Sequence, residues 1–395
     1  MVKNHKLKIA IVTNNYTPYS GGLVSSINSL VKELIKQNYQ PFIITLDFLG
    51  KKHNDPEYVI RVPSIIRFMY KKNHMAVPWR LTNKLEKIIK EIKPDIIHTQ
   101  HPFLIGVSAL KIAKRLNIPI IFTYHTMYEH YAHYLPMPQF LTKPLIKKKV
   151  ISFCRKVDSI IVPSDYIKNY LKKEKINTKL IKIPSGIDPI FIKSEILKKN
   201  GKTFKLLNVG RFAKEKNVTI LLNIFAEFHQ KSPKTGSQQK FTFTLAGYGP
   251  EYDYLQNYAH QLGLKPKNIK FVHKPDKSIL SELYNKSDLF IFSSKSDTQG
   301  LVLAEAMGCG CPVVAMDGPG QRDIIKNNEN GFLVMSKSQM IEKINLIAKN
   351  SNLHEKLKKG ALKTGKNYHP QKTSNKMIKF YKKILSNNKS QYQPL

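Results

Sequence analysis

The chain has 395 residues, of which 42% are hydrophobic and 10% aromatic, and this composition excludes a disordered protein and allows two α/β domains. Its formal net charge is +38, spread over both halves, so no single basic tail accounts for it. Such a charge favours an anionic membrane surface or a nucleic acid as partner, although a lysine-rich genome would produce it as well. No apolar run approaches the roughly 20 residues that span a bilayer, and the short N-terminal stub is no signal peptide, which predicts a cytoplasmic chain.

Strand-like runs alternate with helical patterns along the first half of the chain, which is typical of a parallel sheet. The predicted strands here are Lys8–Val12, Pro41–Leu46, Asp95–His98, Pro119–Tyr124, Ser159–Val162 and Leu180–Ile183. The helical patterns between them include Ile27–Lys36, Leu81–Ile92 and Leu104–Leu116. The punctuation Pro184-Ser185-Gly186-Ile187-Asp188-Pro189 then interrupts the alternation and indicates a linker.

The same alternation restarts after the linker. The predicted strands of the second half are Phe204–Val209, Phe241–Ala246, Ile269–Val272, Asp288–Phe292, Pro312–Ala315 and Gly331–Val334. We therefore expect an α/β protein with two Rossmann-like, doubly wound domains that face each other across a cleft, with ligands at the carboxyl ends of the strands. The expected domains are residues 1–186 and 187–368, and residues 369–395 are expected to form a helix that crosses back to the first domain, followed by a frayed tail from Ser386.

The most informative stretch joins two acids across a strand-to-helix loop. Asp297 follows the strand that ends at Phe292, and Glu305 lies eight positions later within a helix of small residues. This arrangement suits a nucleotide-sugar, because the loop acid can face sugar hydroxyls, the helix acid can reach a ribose, and the amides of Gly300, Leu301 and Val302 can face a diphosphate. Taken alone, the stretch is equally well explained as one more βαβ unit with two acids placed by chance.

Cations at a second strand end strengthen this interpretation. Arg211 comes directly after Val209-Gly210, and Lys216 lies in the loop that enters the next helix. Two cations at the carboxyl end of a strand suit a diphosphate leaving group. A solvated basic loop is the alternative, which the position of Arg211 against an apolar strand makes less attractive.

Two glycine turns also follow predicted strands. Gly21-Gly22 precedes a helix, where glycines let the backbone approach a phosphate, and Gly247 lies in the turn Ala246-Gly247-Tyr248-Gly249-Pro250. Both are weak motifs, and a simple turn explains each of them equally well.

The segment from Tyr124 to Tyr134 leaves a strand for the expected cleft. His125 is the candidate polar contact at the reacting centre, and Tyr128, Tyr131 and Tyr134, at near-helical spacing, could form a wall for an amphiphilic acceptor. The cluster of histidines also invites a metal site, but no spacing of a known zinc type is present, so no metal is expected. Cys309-Gly310-Cys311 could likewise suggest redox chemistry, although small residues at a helix-to-strand junction usually serve packing.

Two segments suit contact with a membrane surface. In Ile146–Val157, apolar residues share one helical face, and Lys147, Lys148 and Lys149 lie beside it; a helix packed on its own core explains this pattern equally well. The segment Ser64–Arg80 combines basic residues with Phe68, Met69 and Trp79, and this bulk favours an interface.

Taken together, the segments resemble the retaining family 4 glycosyltransferases of GT-B fold over nearly the whole chain. The resemblance rests on Val209-Gly210-Arg211 with Lys216 and on the acid pair Asp297 and Glu305, although the family's usual first acid is glutamate. Thr298-Gln299-Gly300 and Tyr124-His125-Thr126-Met127-Tyr128-Glu129-His130-Tyr131 look like the bacterial diacylglycerol glucosyltransferases. Those enzymes transfer glucose from UDP-glucose to a membrane glycerolipid and attach peripherally to anionic membranes.

The resemblance implies a role for each candidate. The C-terminal domain would bind the UDP-sugar, with Glu305 on the ribose, Asp297 on the sugar, and Arg211 and Lys216 on the departing diphosphate. The N-terminal domain would face the acceptor and the inner surface of the cell membrane, and His125 would position sugar and acceptor. The family needs neither a metal nor another cofactor, because the UDP-sugar is its substrate, and domain closure would exclude water.

Three alternatives remain open from the sequence. The first is a transferase acting on a soluble or polyprenyl-linked glycan, such as a cell-envelope mannosyltransferase. The second is a nucleic-acid-binding protein, which only the charge suggests and which lacks aromatic platforms or a recognisable module, so no nucleic acid is expected as partner. The third is a UDP-sugar epimerase, which offers no rationale for the Tyr-His-Thr segment.

Overall fold

The computed structural model describes residues 6–18, 21–48, 50, 54–70, 73–129, 132, 138–195, 203–230, 240–294 and 296–390, with the backbone alone at 69–70, 73–75, 229–230 and 388–390. It divides the chain into two compact units. The N-terminal unit comprises Met1–Gly186 together with Pro370–Leu395, and the C-terminal unit comprises Ile187–His369. Each unit is built around its own parallel sheet.

The elements alternate along the chain as the sequence pattern predicts. The strands are β1 (Lys8–Val12), β2 (Gln40–Leu46), β3 (Val59–Val62), β4 (Ile66–Tyr70), β5 (Asn73–Val77), β6 (Ile96–Thr99), β7 (Ile120–Thr123), β8 (Ser159–Val162), β9 (Lys179–Lys182), β10 (Thr203–Arg211), β11 (Lys240–Tyr248), β12 (Ile269–His273), β13 (Leu289–Phe292), β14 (Val313–Met316) and β15 (Gly331–Val334). The helices are α1 (Gly22–Lys36), α2 (Leu81–Ile92), α3 (Ile105–Arg115), α4 (Gln139–Cys154), α5 (Asp165–Lys173), α6 (Val218–Gln230), α7 (Tyr252–Gln261), α8 (Lys277–Lys286), α9 (Leu301–Gly308), α10 (Pro319–Ile324), α11 (Lys337–Lys349), α12 (Ser351–Gly365) and α13 (Pro370–Ser390).

The N-terminal unit holds a seven-stranded sheet in the order β3-β2-β1-β6-β7-β8-β9, in which every pair is parallel. The order reverses between β1 and β6, so this is the switch point at which α/β sheets bind ligands. Strands β4 and β5 form a separate antiparallel pair within the segment Ser64–Arg80. The sequence pattern did not predict β3, β4 or β5, because short strands that carry basic residues lack a clear apolar run.

The C-terminal unit holds a six-stranded sheet in the order β12-β11-β10-β13-β14-β15, again parallel throughout. Here the order reverses between β10 and β13, which places the loops after these two strands at the switch point. Arg211 ends β10, and the loop with Asp297 follows β13. The topology therefore gathers residues that are more than 80 positions apart in the sequence.

Helix α13 packs on the N-terminal unit although it ends the described chain. Its buried side chains Met377, Phe380 and Tyr381 join the core formed by β1 and α1. The helix continues through Ser390, so the residues just after Ser386 are helical, whereas we expected them to fray. Residues 391–395 lie outside the described chain. In the part of the chain that is described, no helix has the length and apolarity needed to span a bilayer.

Candidate functional site

The switch point of the C-terminal unit brings Lys216 and Asp297 together. Lys216 ends a short 3-10 turn after β10, and its Nζ donates to both carboxylate oxygens of Asp297 at 2.7 and 2.8 Å. Their side chains are 20% and 22% exposed, so the pair lies at the surface of the site. The Ser293 hydroxyl donates to the carbonyl of Lys216 at 2.9 Å and ties the two loops together. This ion pair fixes the position of the lysine ammonium group at the switch point.

Gly320 and Gln321, which the sequence interpretation missed, support the loop of Asp297. The Gly320 amide donates to the Asp297 carbonyl at 2.7 Å, and a Cβ on Gly320 would lie 2.6 Å from the backbone carbon of Gln299. The fully buried Gln321 donates its side-chain amide to the carbonyls of Ser294 and Met316. The Gly318-Pro319-Gly320 turn after a strand was the sequence signal for this contact.

Gly210 and Gly247 lie opposite each other at the ends of β10 and β11. A Cβ on Gly247 would lie 1.9 Å from the Gly210 carbonyl oxygen, and its φ is +153°, so the fold itself requires glycine there. A Cβ on Gly210, by contrast, would meet no protein atom within 4 Å. Packing therefore does not explain the glycine at 210. The missing side chain leaves the backbone beside Arg211 open to a ligand.

Helix α9 carries the remaining candidates for donor binding. Gly300 precedes it with a φ of +66°, and the amides of Leu301 and Val302 lie in its first turn, where no helical carbonyl is available to them. One turn further on, Glu305 accepts from the Tyr284 hydroxyl at 3.1 Å. Burial raises the pKa of Glu305 to about 7, against the opposing effects of Tyr284 and Lys277. Burial therefore moves the titration of this carboxyl toward neutral pH.

In the N-terminal unit, polar side chains follow β6 and β7 at the switch point. Nε2 of His98 lies 2.6 Å from the Thr123 hydroxyl, and Nδ1 lies 2.8 Å from the hydroxyl of Tyr381 on α13. Nε2 of His125 lies 2.7 Å from the Gln100 side-chain carbonyl. His101 accepts from the Asn14 amide at 3.1 Å. Gln100 and Tyr381 are further residues that the sequence interpretation missed.

These three imidazoles are neutral at physiological pH. Burial lowers the pKa of His98 and of His125 to about 3 and that of His101 to about 4, and the neighbouring rings of His101 and His98 add to the effect on His125. Among the described residues, no three His, Cys, Asp or Glu side chains lie close enough to hold a metal ion. The arrangement suits hydrogen bonding to hydroxyl groups.

The neutral histidines predict acid lability. In the unfolded chain each titrates near 6.5, whereas in the folded chain His98 stays neutral down to about 3, so unfolding takes up a proton as pH falls below 6.5. Each such group lowers the free energy of unfolding by about 1 kcal/mol between pH 6.5 and 5.5, and by about 1.4 kcal/mol per pH unit below that range. We expect urea unfolding followed by circular dichroism to show this loss from pH 6.5 to 5.5, and His98→Asn to reduce the slope by about one proton. A stability that is flat over this range in the wild type would contradict the assignment.

The Gly21-Gly22 turn opens α1, with Gly21 at a φ of +155°. Arg61 on β3 anchors the preceding loop: its guanidinium donates to the Thr17 carbonyl at 2.8 Å and pairs with Asp55 at 2.6 Å. The turn thus lies at the helix N-terminus where a phosphate could bind. Whether it does so stays a prediction.

The structure corrects the interpretation of the tyrosines. Tyr128 is buried, and its ring packs edge-on against Phe103 and Tyr124 within the core of the N-terminal unit. It therefore contributes to the core, where apolar contacts stabilise it, and does not form an exposed wall. Tyr131 and Tyr134 lie outside the described residues.

The structure also corrects the membrane-facing part of α4. Val150, Phe153 and Cys154 are buried in the core, so the expected apolar face is a packed face. Lys147 pairs with Glu174 at 2.7 Å, whereas Lys148 and Lys149 are exposed. The exposed apolar residues of this helix lie at its start instead, at Phe140 (74% exposed), Leu141 and Leu145.

The β4–β5 segment presents apolar side chains as expected. Trp79 is 62% exposed, and Ile65, Ile66 and Phe68 are exposed as well. The side chain of Met69 lies outside the described atoms. Several exposed aromatic and aliphatic side chains are thus gathered in this one segment.

Comparison with known proteins gives matches across both units. Residues 20–191 match the family described as Glycosyltransferase Family 4, and residues 190–364 match Glycosyl transferases group 1. The chain is 32% identical to an alpha-monoglucosyldiacylglycerol synthase of Streptococcus pneumoniae, over 83% of this chain and 75% of that protein. It is 23% identical to a GDP-mannose-dependent alpha-mannosyltransferase of Mycobacterium tuberculosis, over 83% and 84% of the two chains.

Solved structures share the fold at low identity. Sucrose-phosphate synthase from Thermosynechococcus elongatus has a TM-score of 0.78 at 18% identity, covering 97% of this chain and 100% of that one. Anabaena HepE in complex with UDP-glucose has a TM-score of 0.73 at 16% identity, covering 95% and 100%. Both units thus have the Rossmann-like architecture of the GT-B fold. With its sequence matches spanning both units, this chain belongs to the family 4, group 1 glycosyltransferases.

Proposed function

We propose that this glycosyltransferase moves glucose, with retention of configuration, from UDP-glucose to diacylglycerol or a related membrane glycerolipid. The observation that carries the proposal is the 32% identity to the enzyme named alpha-monoglucosyldiacylglycerol synthase, which extends over 83% of the chain. A second enzyme of that name, from Acholeplasma laidlawii, is 24% identical over 90% of this chain and 92% of that protein.

The donor-binding role belongs to the C-terminal unit. Arg211 and Lys216 supply positive charge at the switch point, and the first amides of α9 supply hydrogen-bond donors. Glu305 would accept hydrogen bonds from ribose hydroxyls, a role that suits its ionised form. The UDP-glucose bound in the structural neighbour HepE supports a UDP-sugar as the donor class.

The proposed reaction exchanges one bond to the sugar for another. The bond between the anomeric carbon and the β-phosphate oxygen breaks, and the acceptor hydroxyl oxygen forms the new bond on the same face of the sugar. The leaving phosphate oxygen takes the acceptor's proton. Arg211 and Lys216 stabilise the charge that develops on the diphosphate, and His125, neutral at the working pH, positions the reactants.

Asp297 would then act in two ways. Its carboxylate holds Lys216 at 2.7 Å, and the same oxygens can accept from sugar hydroxyls. Aspartate is one methylene shorter than the glutamate usual in the family. Contact with the lysine shows that the shorter side chain still bridges the two loops of the switch point. In this proposal the lysine and arginine supply the positive charge, so transfer persists in EDTA.

Attachment to an anionic membrane surface is part of the proposal. The net charge of +38 provides long-range attraction, and the exposed apolar side chains of the N-terminal unit provide insertion. Phe140 and Leu141 precede the exposed Lys143, Lys148 and Lys149 on α4, which is the mixture that interfacial helices carry.

We expect vesicle binding to weaken as salt rises, because the Debye length shortens from about 10 Å at 0.1 M to about 3 Å at 1 M.

Replacing Trp79 and Phe140 by serine should lower vesicle affinity at least about tenfold, since burying one such side chain contributes about 1.5–3 kcal/mol. Leu346→Ser, at a 40% exposed leucine of the C-terminal unit, is the matched control. Cosedimentation with vesicles of anionic phospholipid measures the vesicle affinity. Equal binding by all variants would show that neither Trp79 nor Phe140 contacts the membrane.

A mannosyltransferase is the second candidate, because relatives from Mycobacterium tuberculosis and Corynebacterium glutamicum carry the name GDP-mannose-dependent alpha-mannosyltransferase. A donor panel separates the two functions. We expect UDP to protect the chain against thermal unfolding and UDP-glucose to support product formation. GDP should give no protection, and GDP-mannose should give no product. Protection by GDP alone would contradict the proposed donor.

A further inference from the structure

The amide of Gln100 lies between two histidines at the switch point of the N-terminal unit. Gln100 directly follows β6, is only 3% exposed, and its backbone amide donates to the Val12 carbonyl at 2.8 Å. Its side-chain nitrogen donates to the His98 carbonyl at 3.4 Å, and its side-chain oxygen lies 2.7 Å from Nε2 of His125. The side chain therefore spans the distance between β6 and the loop that follows β7.

The chemistry of these partners fixes the direction of each hydrogen bond. The His98 carbonyl can only accept, so the NH₂ group of Gln100 must face it. The amide oxygen then faces His125 and can only accept, so the proton of the neutral imidazole lies on Nε2. A hydrogen bond to one ring nitrogen thereby determines the role of the other.

We propose that Gln100 is a positioning residue for glycosyl transfer, which fixes the ring orientation of His125 and its Nε2–H tautomer. This inference rests on the proposed function, in which His125 positions the reactants. Gln100 itself acts through the histidine and touches no reacting atom.

The surroundings of His125 keep its imidazole neutral. A cavity of about 30 Å³ lies beside the rings of His98 and His125. Residues from α1, α13 and the ends of the central strands line it, with no carboxylate, lysine or arginine among them. The titratable groups nearest Gln100 and His125 are His98, His101, the phenol of Tyr381, which bonds to His98, and the phenol of Tyr128, which lies 3.5 Å from the Gln100 carbonyl. Burial lowers the pKa of His125 to about 3, so protonation does not compete with tautomer choice at neutral pH.

The first test is spectroscopic and needs no substrate. Long-range ¹H–¹⁵N spectra of the full chain labelled with ¹⁵N-histidine report the tautomer of each imidazole, and His125→Gln assigns the signal. We expect His125 to be the Nε2–H tautomer from pH 8 to pH 5. Gln100→Leu should lose this preference, and Gln100→Glu should protonate the ring near neutral pH. A wild-type His125 that carries its proton on Nδ1 would overturn the proposal.

The second test is kinetic, with UDP-glucose and vesicles containing diacylglycerol. We expect Gln100→Leu to lower kcat about 10-fold to 100-fold with little change in the KM for UDP-glucose. In Gln100→Glu the new carboxylate raises the pKa of His125, so activity should fall more steeply than that of the wild type as pH drops from 8 to 6. Gln261→Leu, at an exposed glutamine of α7, is the matched control for folding and rate.

The two claims fail in different ways. Absence of product from the wild type would reject the proposed function, and the spectra would still decide the tautomer. Wild-type product formation combined with unchanged rates and pH profiles in both Gln100 variants would reject the positioning role alone. Should Gln100→Leu fail to fold, the wild-type spectra and the pH profile of Gln100→Glu still test the positioning role of Gln100.

Discussion

Arg211→Ala is expected to lower the rate of glycosyl transfer at least about 100-fold while the fold survives, because removing one preorganised donor to developing negative charge costs about 2.7–4 kcal/mol. Arg211 ends β10 at the switch point, beside the open backbone of Gly210. Its charge would balance the diphosphate as the bond to the sugar breaks. Steady-state kinetics with UDP-glucose measures the effect, and circular dichroism verifies folding.

Two further variants make this test specific. Lys214→Ala removes an exposed lysine from the same loop and is expected to leave the rate within about twofold, as surface substitutions usually do. Arg211→Lys keeps the charge and loses the planar fork, so an intermediate rate is expected. If Arg211→Ala and Lys214→Ala behaved alike, the site would not be the one that binds the diphosphate.

Gly247→Ala is expected to destabilise the C-terminal unit by about 3 kcal/mol or more, because the new methyl group meets backbone and the residue has a positive φ. The Cβ would lie 1.9 Å from the Gly210 carbonyl, which the β10–β11 pairing holds in place. For a unit of this size, the melting temperature should fall by at least about 6 °C. Thermal unfolding by circular dichroism measures the shift.

Gly210→Ala is the matched partner of that variant. No protein atom lies within 4 Å of its added Cβ, so the melting temperature should change little. Donor binding should nevertheless weaken at least about tenfold, because the methyl group occupies space where the ligand approaches the backbone. Thermal protection by UDP provides the readout. Undiminished protection would show that no ligand approaches at this position, and a large loss of stability would show that packing requires the glycine.

The sequence predicted most of the fold because parallel strands buried on both faces read as apolar runs. Strands such as Lys8–Val12, Ser159–Val162 and Gly331–Val334 have the predicted bounds. The strands Val59–Val62 and Ile66–Tyr70 were not predicted, since each is short and an arginine interrupts its apolar run. In α4, the helical pattern could not distinguish a face on the core from a face on a membrane.

Site residues were predictable where they lie in a local sequence motif. They were less predictable where they act through a partner that is distant in the sequence. Asp297 and Lys216 were each recognised at a strand end, but their ion pair spans 81 positions and depends on the reversal of strand order. Gln100 and Tyr381 follow no motif, because each acts through contacts that only the packed sheet creates.

The most direct test of the central claim is a transfer assay with UDP-[¹⁴C]glucose and mixed vesicles of diacylglycerol and anionic phospholipid, in the presence of EDTA. The account predicts a radiolabelled glycolipid from the wild type, and at least about 100-fold less from Arg211→Ala. Mass spectrometry and a glycosidase specific for the α-anomer identify the product. Hydrolysis of UDP-glucose without a lipid product, or glycolipid formed only from GDP-mannose, would contradict the account.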